Sequence, residues 1–266
     1  MRFGLYLPPF GDLADPWLLS DLAVRAEVNG FDGFFIWDHI LRPQHDLEVA
    51  DPWISLAAVA VRTRQITLGA LVTPLTRRRP QKFARETVTL DHLSRGRLVV
   101  GVGIGGDGGG ELTRFGEETD EGTRADRLDE ALGLITALWS GGPVEHRGEH
   151  FRAEGVQFLP KPLRGWVPVW VAARTPVGRA MRRAAGFDGI CPETTREGLV
   201  EMLTKITAER GSLDGFDVVI RGVPGANPLP WQEAGATWWL TDLGPGFALQ
   251  DIEAVIDSGP PRSPAH

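Results

Sequence analysis

The chain has 266 residues, 42% hydrophobic and 24% charged, with a formal net charge of −7. That is enough apolar sequence to bury one large core, and the acidic balance, with a pI near 5.4, speaks against a nucleic-acid partner, whose binders usually carry a basic face. Its apolar runs fall short of the ~20 residues of a membrane helix, the start MRFGLYLPPF lacks the pattern of a signal peptide, and a single cysteine, Cys191, excludes an internal disulfide framework. The expectation is a cytoplasmic protein with neither a membrane nor a nucleic-acid partner.

In chain order, strand-like apolar runs alternate with helix-like segments. The first strand is expected over residues 2–7 (RFGLYL), followed by a helix opened by Asp15-Pro16. Next come strand 33–37 (GFFIW), a helix opened by Asp51-Pro52, strand 66–72 (ITLGALV) and a helix opened by Pro80. A capping carboxylate before a proline at the first helical position is a strong start signal, because the side chain accepts a free backbone N–H and proline has none to lose. Strand 97–102 (RLVVGV) precedes a helix whose apolar face carries Leu128, Leu132, Ile135 and Trp139 and which stops at Gly141-Gly142. Strand 167–172 (VPVWVA) leads to a helix expected to open at Thr175-Pro176, and strand 187–191 (FDGIC) to one carrying Leu199, Leu203 and Ile206 before Gly211. Strands 216–220 (FDVVI) and 236–241 (ATWWLT) complete the set.

Several of these runs are apolar throughout, as parallel strands covered on both faces must be. Eight strand–helix units in this length give about 33 residues each, close to the ~30 of a strand–helix–strand step. A single-domain α/β fold over residues 1–266, a (β/α)8 TIM barrel, fits better than an open doubly wound sheet. Such barrels carry their sites on the loops after the strands. Here those loops span 37–50, 73–79, 103–122 and 173–175, two of them long, whereas the helix-to-strand connections are short.

The residues at that mouth suggest chemistry. Asp38-His39 ends the second strand, where a carboxylate and an imidazole can do acid–base work or simply make a local turn. Gly101, Gly103 and Gly106 match the spacing GxGxxG, but after the fourth strand rather than the first and with no acid ending the next strand, so a dinucleotide site is rejected. The glycines, with Gly105, either let the backbone approach a flat ligand or make a mobile loop. Ala173, Arg174 and Thr175 read as a phosphate site at a helix start, or as an ordinary cap beside a solvated arginine. Arg77-Arg78-Arg79 reads as a solvated edge or as a steering patch for an acidic ligand. HExxH, GxSxG, a Walker loop and a Cys/His cluster are all absent from the sequence, so no metal ligand is assigned. Cys191 and the tryptophans read mainly as core.

Together the segments RFGLYLPPF, FDGFFIWDH, ITLGALVTPLTRRRPQKFARETVTLDHLSRGRLVVGVGIGGD and VPVWVAARTPVGRAMRRAAGFDGICP resemble the bacterial luciferase-like family of flavin- and deazaflavin-dependent oxidoreductases. The resemblance is dense to about residue 190 and thin beyond Glu193. It implies a barrel binding coenzyme F420 or FMN, with a non-proline cis peptide within residues 70–72 behind the ring. It places Ala70, Leu71, Val72 and Thr73 behind the ring, Gly103, Gly105 and Gly106 beside it, and Ala173, Arg174 and Thr175 at the phosphate. His39 becomes the ring-side catalytic histidine, with Asp38 orienting it. The implied activity is hydride transfer with a deazaflavin, or oxygenation of a small organic substrate with reduced flavin and oxygen. The WDH ending and the mouth arginines tilt the choice to the deazaflavin. A homodimer and a separate flavin or F420 reductase as partner are also implied. One departure stands out: where some deazaflavin dehydrogenases carry a Glu directly after the GVGxG strand end, this chain has Gly106, and the nearest acids are Asp107 and Glu111. A metal-dependent barrel hydrolase and a non-catalytic flavin-binding protein are the alternatives.

Overall fold

The eight apolar runs pair side by side in chain order. The computed structural model describes residues 1–43 and 47–261. In it, β1 (Arg2–Leu7) pairs in parallel with β2 (Gly33–Ile36), and β2 with β3 (Thr67–Ala70). The third run then turns at Leu71-Val72, which are joined by a cis peptide within the expected window, and resumes as β4 (Thr73–Pro74) against β5 (Val100–Gly103). An antiparallel hairpin, β6 (Pro143–Arg147) and β7 (Arg152–Gln157), stands outside the barrel. From β5 the parallel sheet continues through β8 (Val169–Ala173), β9 (Gly189–Pro192), β10 (Asp217–Gly222) and β11 (Trp238–Asp242), which returns to β1. A bridge between Leu68 and Leu98 joins the remaining seam. Because β3 and β4 are two halves of one strand, this is the eight-stranded α/β barrel that the alternation implies.

The helices begin largely where the capping signals stand. The Asp15 carboxylate accepts the Trp17 N–H ahead of α1 (Pro16–Val28), and that of Asp51 the Ile54 N–H ahead of α2 (Pro52–Arg62), each cap worth about 1 kcal/mol. Pro80 opens α3 (Pro80–Ser94), and Asp120 caps α4 (Glu121–Trp139). The expectation of a helix at Thr175-Pro176 is corrected. Arg174 to Gly178 run as bends, Gly178 takes a positive φ of 88°, and α5 (Arg179–Ala185) starts only beyond it, without a side-chain cap. Next, α6 (Arg196–Arg210) stops on Gly211 in the left-handed region, where glycine has no Cβ to clash. Two further helices, α7 (Leu229–Glu233) and α8 (Leu249–Ser258), flank β11.

Two apolar clusters divide the core. The larger lies between strands and helices; the smaller fills the barrel with Tyr6, Phe35, Leu71, Val99, Trp170 and Trp238 among its members. Three large rings fit inside because glycines of their own and neighbouring strands stand beside them. A Cβ on Gly33 would stand 2.4 Å from Phe35 Cε2, and one on Gly189 2.6 Å from Trp170 Cδ1. Phe35 packs on Trp170 and Trp238 with centroids 5.4 and 5.6 Å apart, and the Arg2 guanidinium covers Trp238 at the strands' N-terminal end. This plug leaves the C-terminal mouth as the open end.

The hairpin is absent from the sequence-based reading because its strands are polar and mostly exposed. It is tied to α4 by one carboxylate: Glu130 accepts from His146 Nε2 at 2.9 Å and from the Phe151 and His150 N–H groups at 2.7 and 2.9 Å.

Candidate active site

Three loops build one wall of the mouth. Beyond β2 the chain carries Asp38 and His39; beyond β4 it carries Arg77 and Arg78; beyond β5 a glycine-rich loop brings in Glu111. Asp38 is 2% exposed, and its Oδ2 accepts from Arg78 Nη2 at 2.9 Å and Trp53 Nε1 at 3.1 Å. Glu111 is 3% exposed; its Oε2 meets His39 Nδ1 at 2.8 Å, while Oε1 accepts from the Ile40 N–H at 2.6 Å and Arg77 Nη1 at 3.2 Å. Arg77 also lies 3.5 Å from Asp38 Oδ1, so two guanidiniums and two carboxylates form one buried, balanced network.

Burial alone would push the pKa of Glu111 up, but the hydrogen bonds from His39 and the Ile40 N–H and the charge of Arg77 outweigh it and hold the carboxyl below its usual range. An ionised carboxylate only accepts, so His39 Nδ1 must carry the proton and donate, which leaves the Nε2 lone pair free. The sequence-based expectation gave the orienting role to Asp38. The structure gives it to Glu111, 72 residues away, because the Asp38 side chain is turned to Arg78 and the Trp53 indole of α2. The arginine triplet likewise divides: Arg77 and Arg78 are pillars of the wall, and of the three only Arg79 is exposed.

An aromatic floor crosses the mouth. Trp37 lies 5.9 Å from His39 and 5.6 Å from Tyr6, centroid to centroid, and the Tyr6 hydroxyl donates to the Leu71 carbonyl at 2.6 Å. At the far end the Arg221 guanidinium stands 5.3 Å over the Tyr6 ring and donates to Glu193 Oε1 at 2.6 Å. The other oxygen of Glu193 accepts from Arg174 Nε at 3.0 Å. Burial pushes the Cys191 thiol up to about 12, so this cysteine is a packing group and no nucleophile.

The remaining expected residues distribute unevenly. Leu71 and Val72 belong to the barrel's inner cluster, but the Ala70 and Ala173 side chains pack in the outer core, and it is Ala172 that lies inward, near Gly103. Gly103 and Gly105 serve the packing of the loop itself: a Cβ would stand 2.9 Å from Val72 Cγ2 at the first and 2.8 Å from Pro74 Cβ at the second. Gly106 has open space around it. Arg174 and Thr175 are exposed, and Thr175 Oγ1 donates to the Val177 carbonyl instead of capping a helix. Glu111, Tyr6, Arg221, Glu193 and Asp242 were not singled out as site residues from the sequence. Tyr6, Arg221 and Asp242 had a signal, being polar positions that alternate into the barrel near the ends of apolar strands. Glu111 had only a faint one, as one of the two acids nearest the position where some deazaflavin dehydrogenases carry a Glu.

A flat polar cofactor ring fits this mouth. Trp37 Nε1, Thr73 Oγ1 and Asp242 Oδ1, at the ends of β2, β4 and β11, are buried and have no hydrogen-bond partner. Leaving such a group unpaired costs about 1–3 kcal/mol, so donors and acceptors here call for a ligand that carries both. Among the described residues no three His, Cys, Asp or Glu side chains group as a metal site.

Comparison with known proteins agrees with the geometry. Residues 1–226 match the model of the luciferase-like monooxygenase family. This chain belongs to that family. Within the luciferase-like group it is 33% identical over 215 residues to an F420-dependent glucose-6-phosphate dehydrogenase of Nakamurella multipartita, which covers 77% of this chain and 62% of the relative. The chain therefore spans less than two thirds of that relative's length. Among solved luciferase-like folds, an F420-dependent secondary alcohol dehydrogenase in complex with an F420–acetone adduct superimposes with a TM-score of 0.81 at 20% identity, covering 96% of both chains. The monooxygenase RslO1 from Streptomyces bottropensis aligns with a TM-score of 0.70 at 26% identity, over 88% of this chain and 75% of the other.

Proposed function

We propose that this luciferase-like chain is an oxidoreductase that works on a small organic substrate with coenzyme F420, FMN being the second choice. The observation that carries the reading is the Glu111-held His39 beside an aromatic floor rimmed by unpaired buried polar atoms. Leu71, Val72 and Thr73 would back the cofactor ring, and Gly106 would flank it. A deazaflavin supplies a carbon that exchanges a hydride, and FMN would supply oxygen chemistry as well. His39 Nε2 would accept the proton released as an alcohol is oxidised, or return it to a carbonyl that is reduced. Glu111 holds the tautomer and balances the charge that His39 gains; Tyr6 and Trp37 shape the floor and keep water from it. The name of the Nakamurella relative favours the deazaflavin.

The single-domain reading over 1–266 and a cytoplasmic location with a separate reductase as partner belong to the same proposal. So does a homodimer, supported by the exposed Trp17 on α1 and Ile54 and Val61 on α2. The test is a paired fluorescence titration of the purified protein with coenzyme F420 and with FMN. Preference for F420 is the expected result; preference for FMN would transfer the chain to the oxygenase reading, and binding of neither would end the cofactor assignment.

A further inference from the structure

Arg77, Arg78, Arg174 and Arg221 stand about the mouth, on β10 or on the loops after β4 and β8, and each of these is engaged by a carboxylate of the chain. Arg77 and Arg78 serve Asp38 and Glu111. At the opposite end, one carboxylate engages the other two: Glu193, directly after β9, accepts from Arg221 through Oε1 at 2.6 Å and from Arg174 through Oε2 at 3.0 Å. Two guanidiniums converging on one point, here from the strands on either side of β9, are the usual means of holding a phosphate or carboxylate. Here Glu193 supplies that anion from within. Asp242, next in the wall, adds a second carboxyl that has a buried Oδ1 without a partner.

We propose that Glu193 is a specificity-determining residue that closes the far end of the mouth to anionic substrates by occupying Arg174 and Arg221 together, so that the site takes an uncharged alcohol or carbonyl compound. The substrate class rests on the oxidoreductase reading; the exclusion of anions by Glu193 does not. An incoming dianion would have to displace Glu193 and then stand beside its charge and that of Asp242, and like charges in a half-buried wall repel. An uncharged substrate meets no such barrier. It would lie over Tyr6 and Trp37 between Arg221 and His39, a span these contacts define.

The experiment titrates inorganic phosphate into the cofactor-free protein and its E193Q, E193D and E193Q/R221A variants, read by calorimetry, with thermal melts to verify folding. Glutamine keeps the size and removes the charge, so E193Q should bind phosphate at least about tenfold more tightly than the native chain, roughly the worth of one hydrogen bond to a charged group. The gain should be absent in E193D, which keeps the carboxylate, and lost again in E193Q/R221A. Equal phosphate binding by the native chain and E193Q would overturn the proposal, as would a gain that survives removal of Arg221. Neither readout depends on cofactor or turnover, so failure here is distinct from failure of the oxidoreductase reading.

Discussion

On the His39 side of the mouth, Arg77 meets Asp38 and Glu111 with side chains 7%, 0% and 4% exposed; on the Glu193 side, Arg174 and Glu193 make a pair of the same chemistry with side chains 82% and 48% exposed. The first network has each charge opposed and hydrogen-bonded in a dry setting, where breaking one member strands another. The second sits largely in water, where a pair is worth little to stability but still sets the local charge a ligand meets. One wall thus holds His39 in a fixed orientation, and the other can change its charge pattern at low structural cost.

The comparison is broken most directly at its functional centre. His39→Ala should lower turnover by about 10²–10⁴-fold, the usual contribution of a placed acid–base group, while cofactor affinity in the paired titration stays nearly unchanged. Unaltered turnover would remove His39 from the chemistry. Asp38→Ala acts next, through the fold: it strands Arg78 and the Trp53 indole N–H, so urea denaturation should show a loss of about 3–5 kcal/mol. A loss below 1 kcal/mol would mean that the buried network adjusts freely.

Glu111→Gln sharpens the comparison. The amide can turn its NH2 toward His39 Nδ1 and so favour the tautomer with the proton on Nε2, the wrong one for accepting a proton. We expect about a tenfold or larger fall in turnover, in the range of a misdirected hydrogen bond to a charged group, and a stability loss of about 1–3 kcal/mol. The pH dependence follows from the lowered pKa of Glu111 in the fold. A carboxyl depressed in this way contributes stability that is fully present above its unfolded value of 4.5 and is lost as pH falls through the lower folded value. Melts at neutral pH should therefore separate the native chain from E111Q, and the gap should narrow below pH 4.5. A gap that is constant with pH would show that the carboxylate charge is not what holds the loop.

Most of the barrel was legible because its signals are local. Parallel strands buried on both faces read as short apolar runs, and Asp15-Pro16 and Asp51-Pro52 name their helix starts within two residues. The same logic failed at Thr175-Pro176, where the sequence of a cap is present but Gly178 breaks the backbone before a helix can form. His39 was legible too, as a polar residue at a strand's mouth. Its partner was not: the contact with Glu111 closes a loop of 72 residues, and no spacing rule reaches that far. The neighbouring Asp38 looked like the natural orienter because adjacency in sequence was the only distance available. The cis Leu71-Val72 peptide came from the family resemblance and not from any residue preference at that position.

The smallest expected effect belongs to the exposed wall. Arg174→Ala removes one of the two guanidiniums on Glu193, yet its side chain is mostly in solvent and Arg221 still holds the carboxylate. Stability should change by less than about 0.5 kcal/mol, within the range of exposed pairs, and melts of the two proteins should superimpose within about 2 °C. The charge at the mouth nevertheless changes. With one cation gone, Glu193 and Asp242 face Arg221 alone, so that end of the mouth becomes net negative. The residue the sequence marked as a phosphate ligand would, if it were one, take cofactor affinity down with it. In the arrangement seen here Arg174 serves Glu193, and coenzyme F420 should bind the R174A protein within about threefold of the native affinity, less than one ordinary hydrogen bond is worth. A tenfold or greater loss would return Arg174 to the cofactor and leave Glu193 to Arg221 alone.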